Sequence, residues 1–163
     1  MKLYKHNSKI KILSKEFVVR FEKNKMLRPR VLVLGSEIKV FSGELNKASQ
    51  SIILRNWLIE YAREFIEKRV DFYATKNNFS FNKISIKEQS SRWGSCSSKK
   101  NLNFNWKLIL TSRPCLDYVV VHELCHLREM NHSKNFWNLV ENIMPDYEIH
   151  RRSLRLFEKE LAR

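Results

Sequence analysis

The stretch HELCHLREMNHSKNFW, residues 122–137, combines three histidines and a glutamate at spacings that carry most of the information in this chain. His122 and His126 are four residues apart, and residues four apart on an α-helix lie on one face, about one turn apart. Both imidazoles can therefore point at one metal ion. Glu123 lies about 100° around the helix from His122, which places its carboxylate beside such an ion rather than on it. We therefore predict a metal site that has its own catalytic base.

His132 stands ten positions after His122 and completes a set of three histidines. On a straight helix it would lie about 15 Å further along than His122, so the chain must leave the helix near Arg128 and fold back. Asn131 tolerates left-handed backbone geometry and is the predicted turn residue. A catalytic Zn²⁺ binds three protein ligands and a water, so we expect one zinc ion per chain.

Glu129 is an alternative third ligand, because it shares a helix face with His122 and His126. The three ligands would then span about 10 Å along a straight helix, which is too long for one tetrahedral ion and favours His132. Another alternative is an ordinary amphipathic helix without metal. The apolar residues of segment 116–121 argue against it, because a buried helix would leave imidazoles and a carboxylate without partners at considerable cost.

Five motifs follow one another in a specific order along the chain. They are RWGSCS at Arg92–Ser97, NFNWKLI at Asn103–Ile109, DYVVVHELCHL at Asp117–Leu127, NHSKNFW at Asn131–Trp137 and MPDY at Met144–Tyr147. This ordered set, which covers roughly residues 50–160, resembles the YgjP-like metallopeptidases. That family belongs to the zincins and is more distantly related to the SprT-like and WLM-type DNA–protein crosslink proteases. The resemblance implies a zinc-dependent hydrolase with His122, His126 and His132 as ligands and Glu123 as general base.

The same resemblance implies that Arg92 and Trp93 of RWGSCS form part of a substrate cleft. Tyr118, one helical turn before His122, is a third candidate for substrate binding. By residue type, Arg92 and Tyr118 are also candidates for stabilising the oxyanion that develops when a carbonyl is attacked. The expected substrate is a protein or peptide, with Glu123 taking a proton from the attacking water. Some members of the family are described as nucleotide pyrophosphohydrolases, so that substrate class remains an alternative.

The net charge of +14, from 31 Lys and Arg against 17 Asp and Glu, favours an anionic partner. Non-specific nucleic-acid binding would then run through phosphates, because no motif that reads bases is present. A third alternative follows, a DNA-associated module whose zinc is not catalytic. A structural zinc site uses four protein ligands and often cysteines, however, and only three ligands are evident here.

The predicted fold class is α+β and zincin-like, with a small, mostly antiparallel sheet packed on a long helix and on the HExxH metal helix. The length of 163 residues suits a single domain, residues 1–163, with N-terminal strands over 10–48 and a catalytic core over 49–163. Short β-rich runs over residues 10–41 predict an antiparallel meander. Apolar residues at helical spacing predict a long helix from Ser49 to about Asn78.

Further along the chain, alternation of apolar and polar residues predicts strands at Phe81–Arg92 and Leu102–Trp106. Ser133 is the predicted N-cap of a helix over 135–143, and a last helix is expected from about Tyr147 to Leu161. Phe136 and Trp137 are predicted to pack beneath His132.

No membrane association is expected, because no window approaches eighteen uncharged apolar residues. The N-terminal segment lacks an apolar stretch followed by a small-residue cleavage site, so it does not have the pattern of a secretory signal. The three cysteines form no CxxC pair, which fits reduced thiols. A cytoplasmic location is the resulting expectation.

Overall fold

A computed structural model describes residues 4–23, 28–43, 46–89 and 92–161. The architecture is α+β, as predicted, with two small sheets and four α-helices in these described ranges. The chain divides into two compact units, Met1–Tyr61 and Ala62–Arg163. That the whole chain forms one domain, divided near residue 49, stays a prediction.

The first unit contains a four-stranded sheet. Its strands are β1 (Lys9–Ile12), β2 (Lys15–Lys23), β3 (Arg30–Leu34) and β4 (Glu37–Ser42), in the spatial order β1-β2-β4-β3. The predicted meander is wrong here, because β4 pairs with β2 in parallel. Burial gives the reason: β4 buries Ile38 and Val40 on one face, whereas most of β3 is exposed. The strand with the buried face takes the interior position, and β3 forms an edge.

The long helix α1 runs over Lys47–Lys76, close to the predicted bounds, from the first unit into the second. Its fully buried apolar residues recur every four positions, at Leu54, Leu58, Ala62, Ile66 and Val70. This spacing is the helical periodicity that the sequence indicated.

The second unit contains a three-stranded sheet, with strands β5 (Lys83–Lys87), β6 (Gly94–Cys96) and β7 (Asn101–Asn105) in the order β5-β7-β6. β5 pairs with β7 in parallel, and β6 pairs with β7 antiparallel. The predicted strand at Phe81–Arg92 therefore ends at Lys87, and Gly94 begins a separate strand. Both sheets are mixed. The sequence did not predict the parallel pairs, because alternation along the chain identifies a strand but not its partner.

A 3₁₀ helix (Trp106–Leu110) and three α-helices complete the second unit: α2 (Arg113–Cys125), α3 (Lys134–Ile143) and α4 (Tyr147–Leu161). The Ser112 side chain caps α2, and α2 packs against β6, α3 and α4. Within the described ranges, no helix combines the length and the apolar character needed to cross a membrane.

A buried ion pair fastens α2 to the second half of α1. Asp117 accepts hydrogen bonds from Arg69 Nε at 2.6 Å and from Arg69 Nη2 at 3.0 Å. Because both side chains are largely buried, removing either partner would leave an uncompensated charge in the interior. The pair therefore fixes the position of α2, which carries the predicted metal ligands.

Candidate metal centre and active site

Helix α2 places His122 and His126 one turn apart at its C-terminal end. The helix ends at Cys125 and His126 occupies its C-cap, so the chain leaves the helix about two residues earlier than predicted. The run of buried apolar residues before His122 holds this end of the helix in the interior. His126 is buried and His122 is half-buried, which fixes the direction of both imidazoles.

Three imidazole nitrogens converge at this point. His122 Nε2 lies 3.2 Å from His126 Nε2 and 3.0 Å from His132 Nε2, and the potential ligand atoms of the three residues lie within 4.8 Å of one another. Burial, followed by the influence of the two other histidines, lowers the pKa of His122 to about 3. Burial also lowers the pKa of His132. His122 and His132 are therefore neutral at neutral pH, and a neutral imidazole is the form that binds a metal.

These residues fit a zinc ion. Two nitrogens bound to one tetrahedral Zn²⁺ at about 2.0–2.1 Å would be about 3.3 Å apart, close to the separations between the Nε2 atoms. The donor chemistry agrees, because three neutral imidazoles that leave a fourth position open are typical of catalytic zinc. His126 is buried and His122 half-buried, whereas His132 is exposed, so a metal would reach the site from the side of His132.

The turn between His126 and His132 differs from the predicted one. Right-handed turns follow the helix, with Leu127 N–H donating to the Leu124 carbonyl, and Asn131 is not among the residues with positive φ. The Glu129 carbonyl lies 2.9 Å from His126 Nδ1, so Nδ1–H donates to it and leaves Nε2 free for a metal. The Glu129 carboxylate, the alternative third ligand, does not belong to the converging group, whereas His132 does.

Aromatic rings support the three imidazoles from α3. The Ser133 side chain accepts a hydrogen bond from Phe136 N–H, which confirms the predicted N-cap. Phe136 is fully buried, with its ring centroid 4.5 Å from that of His126, and Trp137 stacks on His132 at 5.7 Å. The predicted packing of Phe136 and Trp137 against His132 is confirmed. Rigid rings on one side leave the imidazoles little freedom to turn.

Glu123 is buried, with 6% of its surface exposed, on the side of α2 that faces β6. Burial raises the pKa of its carboxyl group to about 8, and the nearby Arg92 partly offsets that rise. A carboxyl group whose pKa lies near neutrality is suited to accepting a proton and releasing it again. This environment agrees with the role predicted for Glu123.

Gly94, the first residue of β6, lies directly against Glu123. A Cβ atom built at Gly94 would fall 2.7 Å from Glu123 Cγ and 2.8 Å from Glu123 Oε1. Such distances are well inside van der Waals contact, so any larger residue would displace the carboxylate. The absence of a side chain at residue 94 therefore determines where the Glu123 carboxylate lies.

A cavity of about 210 Å³ opens beside Glu123 and His122. Arg92, Trp93 and Tyr118, the three residues predicted to bind substrate, all line it. Burial raises the pKa of Tyr118 to about 12, with Arg151 and Arg155 opposing the rise, so its hydroxyl keeps its proton and can donate a hydrogen bond. The structure thus brings the predicted substrate residues and the predicted base to one cavity.

Sequence reasoning missed two residues of this region. Asn105, buried at the end of β7, donates hydrogen bonds to the carbonyls of Gln89 and Arg92 and so anchors the segment that carries Arg92. The sequence feature that could have identified Asn105 is its polar side chain next to the apolar residues of NFNWKLI. Arg151, on α4, lies with its guanidinium carbon 4.5 Å from the centre of the Trp137 ring. No local pattern marked it, because the contact joins two helices.

The pKa of Glu123 predicts a pH-dependent stability for the metal-free protein. An acid whose pKa rises from 4.5 to about 8 on folding stabilises the folded state less as the pH rises through that window. Glu123→Gln removes this loss, so we expect the variant to gain about 3 kcal/mol more stability over the wild type at pH 8 than at pH 5. Urea unfolding in the presence of a chelator measures the difference. Equal gains at the two pH values would contradict the raised pKa.

The known proteins to which this chain is similar are described as metallopeptidases. A family model described as YgjP-like, metallopeptidase domain, matches residues 2–157. The fold is similar to the crystal structure of the metallopeptidase zymogen of Pyrococcus abyssi abylysin, with a TM-score of 0.50, 17% sequence identity, and coverage of 60% of this chain and 96% of that chain. The metallopeptidase zymogen of Methanocaldococcus jannaschii jannalysin matches with a TM-score of 0.48 and 28% identity, covering 58% of this chain and 95% of that chain. No curated protein matches the sequence.

Proposed function

We propose, from the premise that this chain belongs to the YgjP-like metallopeptidase family, that it hydrolyses peptide bonds with one zinc ion held by His122, His126 and His132. Membership of this family shows that the chain is a metallopeptidase. We propose in addition that the metal is zinc, that one ion binds per chain, and that each residue has the role given below. The observation that carries it is the convergence of three imidazole nitrogens beside a buried glutamate. All four residues lie in the second unit of the chain.

When bound, Zn²⁺ would act as a Lewis acid and lower the pKa of a water to about 7. Glu123 would accept the proton that this water loses as its oxygen forms a bond to the peptide carbonyl carbon. The same carboxyl group would then pass the proton to the amide nitrogen as the carbon–nitrogen bond breaks. The position of Glu123 supports both transfers, because its buried side chain and His122 line the same cavity.

Tyr118 and Arg92 are proposed to stabilise the oxyanion or to hold the substrate. Both line the cavity beside Glu123, the Tyr118 hydroxyl as a neutral donor and the Arg92 guanidinium as a fixed positive charge. Tyr118 is buried, and a donor that is already in place when charge develops on the carbonyl oxygen lowers the barrier without reorganising.

Strand β6 is proposed to hold an extended peptide substrate. It forms one edge of the second sheet and, among the described residues, pairs only with β7. Its first residue, Gly94, touches Glu123. A peptide added along this edge by main-chain hydrogen bonds would pass next to the proposed base.

The two alternative functions drawn from the sequence have less support than a peptidase. The nucleotide pyrophosphohydrolase draws its support from the net charge of +14 and from the family members that are so described, and the DNA-associated module with a non-catalytic zinc draws it from the charge alone. The family match favours a peptide substrate over both.

Metal removal tests the proposal. Dialysis against a chelator is expected to abolish cleavage of a denatured protein such as casein, and one equivalent of Zn²⁺ is expected to restore it. The amount of cleavage at each added fraction of zinc gives the stoichiometry. Cleavage that persists in the metal-free protein would contradict the proposal.

A further inference from the structure

The cavity beside Glu123 has a positively charged side. Arg92 lines it directly, and its charge acts on the Glu123 carboxyl group. Leu154 of α4 forms part of the wall, and Arg151 and Arg155 lie one turn before Leu154 and one residue after it on the same helix. Both arginines act electrostatically on Tyr118, which is another wall residue. Arg92 therefore lies on the cavity, and Arg151 and Arg155 stand on the helix that contributes Leu154 to its wall.

Arg151 is held in place beside the metal ligands. Its guanidinium lies over the Trp137 ring, and Trp137 in turn stacks on His132. Arg151 is half-buried, unlike its exposed neighbour Arg152. A guanidinium over an indole ring is oriented by the ring at little entropic cost, so its position is defined before a ligand arrives.

The three arginines form no ion pair within the described parts of the chain. None of the ion pairs formed there includes Arg92, Arg151 or Arg155, whereas Arg152 pairs with Glu148 and Arg69 with Asp117. Two carboxylates lie close to the cavity: Glu123 lines it, and Glu158 accepts a hydrogen bond from the Trp93 indole N–H. Arg92 and Glu123 balance each other on the cavity wall, and Arg151 and Arg155 add positive charge from α4.

We propose that this cavity is a specificity subsite for a carboxylate, so that the enzyme prefers peptides with a Glu or Asp side chain next to the cleaved bond. The inference rests on the proposed peptidase function and names the substrate class of the same site. Arg92 and Arg151 would bind the carboxylate, while Val119 and Leu154 would contact the methylene groups that carry it. A carboxylate that enters between guanidinium groups gains charge-assisted hydrogen bonds, which a neutral amide of the same shape cannot form with equal strength.

The cavity has a volume of about 210 Å³ and is open to solvent on one side. A single amino-acid side chain fits this volume beside the proposed base. The choice of a peptide carboxylate as the anion rests on the peptidase family to which the chain belongs.

Pairs of peptides that are identical except for Glu or Gln at one position test the proposal. A mixed peptide library first gives the residues that flank cleaved bonds, and we expect Glu and Asp to be enriched there. For a peptide with Glu at that position, kcat/KM should exceed that of its Gln counterpart by about 10- to 100-fold, the usual worth of a charge-assisted hydrogen bond. The Glu123→Gln protein, loaded with zinc, should show the same preference when binding of the two peptides is measured by fluorescence anisotropy.

Matched arginine variants provide the control. Arg151→Gln and Arg92→Gln are expected to bring the Glu-to-Gln ratio towards one, whereas Arg152→Gln, with the same charge change on the adjacent residue, should leave it unchanged. Glu123-dependent cleavage without any Glu preference, or a preference that survives in the Arg92→Gln/Arg151→Gln double variant, would overturn the inference and leave the proposed function intact. Glu123-dependent release of pyrophosphate from ATP without peptide cleavage would overturn both.

Discussion

Glu123→Gln is expected to lower the rate of peptide cleavage by about a thousandfold while zinc binding stays within twofold of the wild type. Gln has the size of Glu but cannot take a proton, so the variant loses proton transfer and little else. The Glu123 carboxylate is buried against β6 and does not belong to the converging nitrogens, so the metal ligands are not altered. Cleavage of casein together with metal analysis of the same preparation measures both quantities.

Two outcomes would count against the assignment of the base. A Glu123→Gln protein that cleaves within tenfold of the wild-type rate would show that another group takes the proton. A variant that loses its zinc would show that Glu123 is a ligand. Glu129→Gln is the matched control, because it makes the same chemical change six residues away at a side chain outside the converging group, and its activity should be unchanged.

Gly94→Ala is expected to lower kcat by about a hundredfold without loss of zinc. The added methyl group would lie 2.7 Å from Glu123 Cγ, so the carboxylate must move away from the position that it now occupies. A misplacement of about 1 Å in a catalytic group is enough for a loss of this size. The nearest atoms to the added methyl group all belong to Glu123, which is not one of the converging ligands, so zinc affinity should remain within a few fold.

Ser95→Ala is the control for Gly94→Ala. Ser95 is the next residue of β6, is half-buried, and accepts a hydrogen bond from Asn103 on the neighbouring strand. Its replacement alters the same strand without adding atoms near Glu123, so we expect a change in kcat of less than about threefold. Equal activity of Gly94→Ala and wild type would contradict the positioning of Glu123 by Gly94.

The sequence predicted the parts of the site that depend on local periodicity. His122 and His126 follow from the helical repeat, and the cap at Ser133 and the packing of Phe136 and Trp137 follow from the start of the next helix. The turn that brings His132 back was predicted, but it begins about two residues earlier and is built differently. Hydrogen bonds such as that of His126 Nδ1 to the Glu129 carbonyl form it, without left-handed geometry at Asn131.

The parts that the sequence could not predict depend on pairing over long distances. The parallel pairing of β2 with β4 and of β5 with β7 leaves no mark on the alternation within each strand. The contact of Gly94 with Glu123 joins a strand edge to a helix, and the position of Arg151 over Trp137 joins two helices. Each of these contacts is set by tertiary packing, which residue spacing does not encode.

Zinc titration of the metal-free wild type, His132→Ala and Glu129→Gln tests the central claim most directly. The account predicts one high-affinity zinc per chain in the wild type and in Glu129→Gln, and a loss of affinity of at least a hundredfold in His132→Ala, which would keep only two of three imidazoles. Retention of wild-type zinc affinity by His132→Ala, or its loss in Glu129→Gln, would contradict the three-histidine site.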